Sequence, residues 1–360
     1  MSKRALVRWS LTIFLACAAA CGAGKASAIQ PGNYSGLFYE PDGYWQNSSG
    51  TLSLKVTTTG KYSGKLQVGT TRYSFSGTVT PDNTISEGIP RKSRNPLLIE
   101  LSEDPQDADV LWGSVQDGVW TSDLYADRAV FNGKTSVSPD RGQYTMLVPG
   151  DFTSLTEPGG DGYGTLTVDA KGAVKMSGVL ADGTKVTQSA TISKGGLWPL
   201  FAALYSGGGS LYSWVALNPT QDEELQGDVT WIKPNSPGAR YYPGGFALAV
   251  SVWGSRYTPP AKGQPVLGYA EGAVEFNGGN LVESFTNHVM LDSNNKVYNV
   301  SQNKLTMKIT TSNGMISGKV ADAITGDMLP FKGVVLQSYG VAAGYFDDVS
   351  RTGEIWLEQW

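Results

Sequence analysis

Apolar and polar residues alternate in short runs along most of the chain, and turns rich in glycine separate these runs. In the segment TLSLKVTTTGKYSGKL (51–66), every second residue from Leu52 to Val56 is apolar, while the residues around them are Thr, Ser and Lys. This period of two is typical of a half-buried β-strand, and TTTG supplies the turn into a second strand. The pattern therefore predicts a β-hairpin.

The same hairpin pattern occurs twice more, as TLTVDAKGAVKMSGVL (165–180) and LTMKITTSNGMISGKV (305–320). In all three copies a Ser-Gly pair follows the turn, and its glycine (Gly64, Gly178 or Gly318) takes an apolar, inward position of the second strand. Glycine inside a strand costs roughly 0.5–1 kcal/mol relative to alanine, so its presence at matching places needs an explanation.

The explanation that we favour for these glycines is steric. A strand that coils sharply to close a small barrel brings its backbone near the opposite wall, where a side chain would clash. Duplication of an ancestral hairpin that already contained the glycine is the alternative.

The repeats also predict how the chain is divided into domains. Self-similarity at a period of roughly 110–140 residues indicates duplicated domains rather than a solenoid, whose repeats are shorter. We predict three units, 29–140, 141–256 and 257–360, with joints at SVSPDRG (136–142) and YTPPAKGQP (257–265). The alternative is that units two and three form one larger domain.

Strand number and composition predict the fold class. Each unit contains about seven or eight runs of strand character, close to the number that a small closed barrel needs. The chain has 45 Gly, 10 Trp, 17 Tyr and 11 Phe, and this mixture of turn residues and β-formers favours many short strands. We predict an all-β protein of tandem duplicated antiparallel β-barrels, or barrel-like sandwiches, after a cleaved signal peptide.

The first 28 residues have the features of an export signal. Lys3, Arg4 and Arg8 precede an apolar stretch too short to span a bilayer comfortably, and the small residues ASA end at Ala28. We predict cleavage after Ala28 and export to the extracellular space, the periplasm or the cell surface. Lipidation at Cys21, which follows AAA, is the main alternative, and an uncleaved anchor is another.

The cysteine positions and the net charge exclude several kinds of site and partner for the residues after Ala28. Cys17 and Cys21 are the only cysteines, so no disulfide, thiol nucleophile or thiolate metal ligand follows Ala28. Removal of the four basic residues before Ile29 leaves 24 Lys and Arg against 32 Asp and Glu, a net charge of about −8. A chain of that sign repels phosphate backbones, so nucleic acid is not expected as a partner. No later stretch is apolar and long enough for a transmembrane helix.

Catalytic and metal-binding motifs are missing from the sequence. His288 is the only histidine, and no residues near it in sequence complete a catalytic or zinc-binding set. GGDGYG (159–164) and DSNNK (292–296) place oxygen ligands near turns, but neither matches a calcium loop. We therefore expect no cofactor, with structural calcium as an alternative that no motif supports. Asp and Glu are plentiful, so a glycoside hydrolase is a further alternative, although no spacing in the sequence identifies its pair of catalytic carboxylates.

Aromatic residues in loop-like segments are the best candidates for ligand binding. Tyr44, Trp45, Tyr241 and Tyr242 are predicted to be exposed, and exposed rings can stack on the faces of sugars. The alternative is that these rings fill barrel cores or close barrel ends.

One long segment, 162–214, resembles a region of uncharacterised secreted bacterial proteins in which it often follows immunoglobulin-like or other β-repeat arrays. YYPGGF, GSRYTPP, GGNL and FKGVVLQ are similar to that group too. The resemblance implies secretion and a β fold, and it carries over no functional residue.

Together these features favour a secreted or envelope-associated, non-enzymatic β protein that binds a polysaccharide or another surface component. A structural spacer at the cell surface is the first alternative. The glycoside hydrolase is the second.

Overall fold

The computed structural model describes residues 29–218 and 224–360, so Cys17, Cys21 and the predicted cleavage site at Ala28 lie outside the described residues. Within these ranges the regular structure is almost entirely antiparallel β-strand, in three sheets of eight strands that each nearly close into a barrel. The predicted all-β class with tandem barrel-like domains is confirmed. No helix in the described ranges is apolar and long enough to cross a bilayer.

The three sheets follow one another along the chain. Barrel 1 consists of β1 (Gly32–Tyr39), β2 (Gly50–Val56), β3 (Lys61–Val68), β4 (Thr71–Thr78), β5 (Thr84–Arg91), β6 (Arg94–Glu103), β7 (Val110–Gln116) and β8 (Thr121–Arg128). Barrel 2 consists of β9 (Gly142–Val148), β10 (Gly162–Val168), β11 (Ala173–Val179), β12 (Lys185–Thr191), β13 (Leu197–Leu204), β14 (Gly209–Leu217), β15 (Leu225–Lys233) and β16 (Phe246–Tyr257). Barrel 3 consists of β17 (Glu271–Gly278), β18 (Phe285–Leu291), β19 (Val297–Asn299), β20 (Leu305–Thr310), β21 (Met315–Ala321), β22 (Met328–Leu336), β23 (Val341–Asp347) and β24 (Thr352–Gln359). Short 3₁₀ helices occur at Tyr205–Gly207 and Gln337–Tyr339.

Each sheet is a meander in which the first strand also pairs with the last, and each has one seam where neighbouring strands are not joined by a ladder. The seam lies between the fourth and fifth strands in barrels 1 and 2. In barrel 3 it lies between β19 and β20, the third and fourth strands, where an isolated bridge joins Lys296 and Lys308. The third Ser-Gly hairpin is therefore the fourth and fifth strands of its barrel, whereas the other two are second and third strands.

Each barrel is filled by side chains from its own strands. The inward positions alternate with exposed ones, as in β2, where Leu52, Leu54 and Val56 are buried and Ser53 and Lys55 are exposed. The largest buried side chains of the three cores are Tyr34 and Phe38 in barrel 1, Trp198 and Trp231 in barrel 2, and Phe276, Phe331 and Phe346 in barrel 3.

Barrel 2 packs against both of its neighbours through outward side chains. Leu37 of barrel 1 packs with Phe201 and Tyr212 of barrel 2 in one apolar cluster. On another face of barrel 2, Leu147 and Tyr163 belong to a cluster with residues of barrel 3 that include Val334, Leu336 and Tyr345. Burial of these residues fixes the three barrels as a connected row with barrel 2 in the middle.

The three strand glycines have no room for a side chain. A Cβ on Gly64 would lie 2.3 Å from the ring of Phe75, and one on Gly178 would lie 2.5 Å from the carbonyl oxygen of Tyr163. At Gly318 the carbonyl oxygen of Thr306 is 2.0 Å away and the Phe331 ring 2.4 Å away. In each case the obstacle belongs to an adjacent strand rather than to the opposite wall.

Candidate functional site

The loop between β1 and β2 carries two of the predicted ligand-binding residues, Tyr44 and Trp45. Trp45 is 61% exposed. The next residue, Gln46, ties the loop to barrel 2, because its side-chain amide donates to the carbonyl oxygens of Gly207 (3.0 Å) and Gly209 (3.2 Å). The indole of Trp45 therefore extends into solvent from a loop that is anchored to barrel 2.

Tyr44 has a different environment from its neighbour. Its ring lies 4.9 Å from that of Tyr39 and 4.8 Å from that of Tyr212, centroid to centroid, within the interface between barrels 1 and 2. Burial raises the pKa of the Tyr44 hydroxyl to about 12. The ring is therefore packed as part of the interface.

The expectation that Tyr241 and Tyr242 are exposed is wrong, because their exposed fractions are only 6% and 4%. The loop after β15 reaches barrel 3, where the Tyr241 hydroxyl donates to the Asp347 carboxylate (3.1 Å). The Tyr242 hydroxyl oxygen accepts the backbone N–H of Thr352 (3.0 Å) and of Gly159 (3.2 Å). These two tyrosines join barrels 2 and 3, and their faces are not free for a ligand.

A groove on the outer face of barrel 1 was not predicted from the sequence. It has a volume of about 540 Å³ and lies over strands β5 to β8. Strand pairing arranges four of its side chains in a row across the sheet, because the residues directly opposite one another are Ser86, Glu100, Ser114 and Asp123. With neighbouring strands about 4.8 Å apart, the row is roughly 14 Å long.

A second row runs beside the first, two residues along each strand. Thr84, Ser102 and Trp112 are paired in succession and also line the groove. The Trp112 side chain is 42% exposed. Both rows continue across β8 to Leu37 and Tyr39 of β1, so the groove ends beside the interface with barrel 2.

The groove combines an aromatic face with many oxygen atoms. Besides Trp112, its lining provides the carboxylates of Glu100 and Asp123 and the hydroxyls of four Ser and Thr residues, and it contains no Lys, Arg or His. An indole can stack on the apolar face of a sugar, while carboxylates and hydroxyls can accept or donate hydrogen bonds around its rim. A few placed polar groups beside an aromatic ring are typical of ligand sites.

The sequence did contain a signal for this groove. In VLWGSVQ (110–116), Leu111 and Val115 occupy the apolar, inward positions, so Trp112 must point outward with Ser114. An aromatic residue on the polar face of a strand indicates an exposed ring. The position of Glu100 and Asp123 beside it depends on strand pairing and was not readable from local sequence.

Of the two segments considered for calcium, DSNNK forms a turn, and GGDGYG lies at the contact with barrel 3, where the backbone N–H of Asp161 donates to the carbonyl oxygen of Gly344 (3.1 Å). Asp292 accepts the backbone N–H of Asn294 (2.8 Å) and Lys296 (2.9 Å), as in an Asx turn. Asp161 is buried and accepts the N–H of Gly150 (3.0 Å). In the part of the chain that the structure describes, no group of three or more His, Cys, Asp and Glu residues is arranged to hold a metal ion.

Comparisons with known proteins give no family for this chain. No family model and no curated protein matches it. Among solved structures, intact Ap-TbpB (N and C lobes) is 11% identical, with a TM-score of 0.23 over 92% of this chain and 77% of that one. A double mutant of Transferrin Binding Protein B from Haemophilus parasuis Hp5 is 9% identical, with a TM-score of 0.24 over 93% and 78%. Endo-1,5-alpha-L-arabinanase from Thermotoga petrophila RKU-1 is 11% identical, with a TM-score of 0.21 over 88% and 82%. At TM-scores this low, the similarity to these structures gives no information about function.

Proposed function

We propose that this protein is an exported, non-enzymatic binding protein that holds a polysaccharide in the outer groove of barrel 1. The observation that carries the proposal is the half-exposed indole of Trp112 in a groove lined by two carboxylates and four hydroxyls. The anchored loop of Trp45 adds a second exposed ring on the same barrel. The export signal predicted at residues 1–28 supports a location where polysaccharides are present.

The test is to measure binding of the purified protein to a polysaccharide array and then by calorimetry. We expect Trp112→Ala to weaken binding of the selected glycan by roughly tenfold to a hundredfold, because loss of the buried apolar contact of a large side chain costs about 1.5–3 kcal/mol. Trp45→Ala tests whether the second ring belongs to the same binding surface. Thermal unfolding of each variant shows whether the fold is kept.

Trp360→Ala is the matched control, because that indole is 66% exposed but belongs to barrel 3. Equal loss of binding in Trp112→Ala and Trp360→Ala would contradict a site in the groove. Absence of binding to every polysaccharide on the array would reject the proposal and favour the structural spacer.

A hydrolase is the second candidate, because Glu100 and Asp123 line the same groove with one strand between them. Their backbone positions are roughly 10 Å apart, two strand spacings. Carboxyl groups about 6.5–9.5 Å apart are typical of inverting glycosidases, in which one group protonates the leaving oxygen and the other activates water.

Release of reducing ends from the bound glycan would decide between the two candidates. A binding protein leaves the glycan intact during long incubation. A hydrolase would cleave it, and Glu100→Gln or Asp123→Asn would lower the rate by at least a hundredfold because each removes an acid or base.

A further inference from the structure

The charge in the groove of barrel 1 points to a class of polysaccharide. Glu100 and Asp123 face the same space, and Ser114 lies between them on β7, one strand spacing of about 5 Å from each. A ligand that crosses the row therefore passes both carboxylates.

Neither carboxylate forms an ion pair with a Lys, Arg or His side chain of the described residues. Asp117 pairs with Arg91 (2.7 Å) and Asp109 pairs with Arg128 (2.5 Å) on the same barrel. Among the ion pairs of the described residues, none includes Glu100 or Asp123. Their charges are available to a ligand.

The indole of Trp112 also favours a positively charged ligand. Trp112 lies two residues from Ser114 on the outer face of β7, diagonally opposite Glu100 and Asp123. A cation close to the face of an indole is attracted by its negative π surface, and this attraction adds to that of the carboxylates. Acidic polymers are repelled both by the groove and by the net negative charge of the chain.

We infer that the groove binds an amino-sugar polymer with free, protonated amines in preference to a neutral or acidic polysaccharide. The inference rests on the proposed function and names its ligand class. Glu100 and Asp123 receive the ammonium groups of the sugar units, and Trp112 stacks on a ring between them. The hydroxyls of Ser86, Ser102 and Ser114 pair with the sugar hydroxyls.

The experiment compares three oligosaccharides of equal length by calorimetry at mildly acidic pH, where the amines are protonated. The probes are a chitosan oligomer, a cello-oligosaccharide, which has hydroxyls in place of the amines, and a galacturonate oligomer. We expect the chitosan oligomer to bind roughly tenfold more tightly than the cello-oligosaccharide, since each partly exposed charge pair contributes modestly. The galacturonate oligomer should bind weakest.

Variants assign that preference to the groove. Glu100→Gln and Asp123→Asn together should make the chitosan and cello-oligosaccharide affinities equal within about twofold, and Trp112→Ala should weaken both. Glu271→Gln is the control, because Glu271 is an exposed strand carboxylate of barrel 3. It should leave the preference unchanged.

The outcomes separate this inference from the proposed function. If the unaltered protein bound the chitosan oligomer and the cello-oligosaccharide equally well, the charge preference would be overturned. If Trp112→Ala still weakened binding of both, the polysaccharide site itself would be supported. A preference that falls as much in Glu271→Gln as in the groove variants would show non-specific charge attraction and also overturn the inference. Absence of binding to all three probes and to the array would reject both.

Discussion

Gly64 and Gly318 each lie opposite a phenylalanine on the next strand, and the ring of that residue covers the glycine. Register pairs Gly64 with Phe75 and Gly318 with Phe331. This aromatic cover replaces part of the contact that a glycine cannot make. Gly178 lies opposite Val186 instead, so backbone crowding alone accounts for the glycine there.

Replacement of these glycines by alanine should lower the free energy of unfolding, and Gly318→Ala should cost more than Gly64→Ala. At Gly64 the new Cβ meets a ring that can shift, whereas at Gly318 it also meets a backbone carbonyl oxygen 2.0 Å away. We expect about 1–3 kcal/mol for Gly64→Ala and the upper end or more for Gly318→Ala, measured by urea unfolding.

Gly88→Ala is the matched control for these substitutions. Gly88 is also a strand glycine, but a Cβ there would lie 3.7 Å from the Leu98 side chain, an ordinary contact. Its effect should stay within about 0.5 kcal/mol. If all three variants were equally stable, crowding would not explain the retained glycines.

At the scale of elements, the alternation of apolar and polar residues predicted the hairpins, because a strand with one buried face shows this alternation within its own sequence. The order of strands in a sheet is not local. Nothing in the residues 305–320 distinguishes a fourth strand from a second, so the shifted place of that hairpin in barrel 3 could not be predicted. The burial of Tyr241 and Tyr242 could not be predicted for the same reason. They do lie in a loop, but their partners Asp347 and Thr352 are more than a hundred residues away in sequence.

The loop before β7 and the loop before β13 meet in a charged contact between barrels 1 and 2. Lys194 of barrel 2 lies 2.5 Å from the Asp107 carboxylate and 3.2 Å from that of Asp109. Asp127, on β8, lies in the field of the same two carboxylates. Burial first, and then the charge of Asp107, raise the pKa of Asp127 to about 7, although Lys194 opposes the shift.

This shift predicts a pH dependence of stability. The folded chain keeps a proton on Asp127 up to about pH 7, whereas the unfolded chain loses it near pH 4. Because the folded state binds more protons between these values, its free energy of unfolding should fall as pH rises from about 4 to about 7. Denaturant titrations across this range measure the slope.

Asp127→Asn provides the comparison for that slope. The amide does not titrate, so its stability should decline less than that of the unaltered protein over the same pH range. A slope that is the same in both proteins would show that Asp127 has an ordinary pKa.

At the scale of the whole molecule, the contact between barrels 2 and 3 depends on a buried hydroxyl. Tyr242→Phe removes the acceptor for the backbone N–H groups of Gly159 and Thr352. We expect a loss of about 1–3 kcal/mol in thermal or urea unfolding, because a buried donor is left without its partner. Faster proteolysis in the loop after β15 should accompany it.

Tyr298→Phe is the control for the loss of a hydroxyl. That tyrosine is 43% exposed, and its hydroxyl hydrogen bond to Asp292 is open to solvent. Its effect should be within about 0.5 kcal/mol. If Tyr242→Phe were equally mild, the two tyrosines would not hold the barrels together.

The pairing of the first and last strands of each barrel determines how the molecule responds to tension. In barrel 1, Tyr34 near the start of β1 lies opposite Arg128 at the end of β8. In barrel 2, Gln143 near the start of β9 lies opposite Tyr257 at the end of β16. A force that pulls the chain outward at these points therefore opens the two strands like a zipper, breaking one hydrogen bond after another rather than shearing them all at once. Such a geometry yields at low load, so each barrel under tension should open first at the paired ends of its first and last strands.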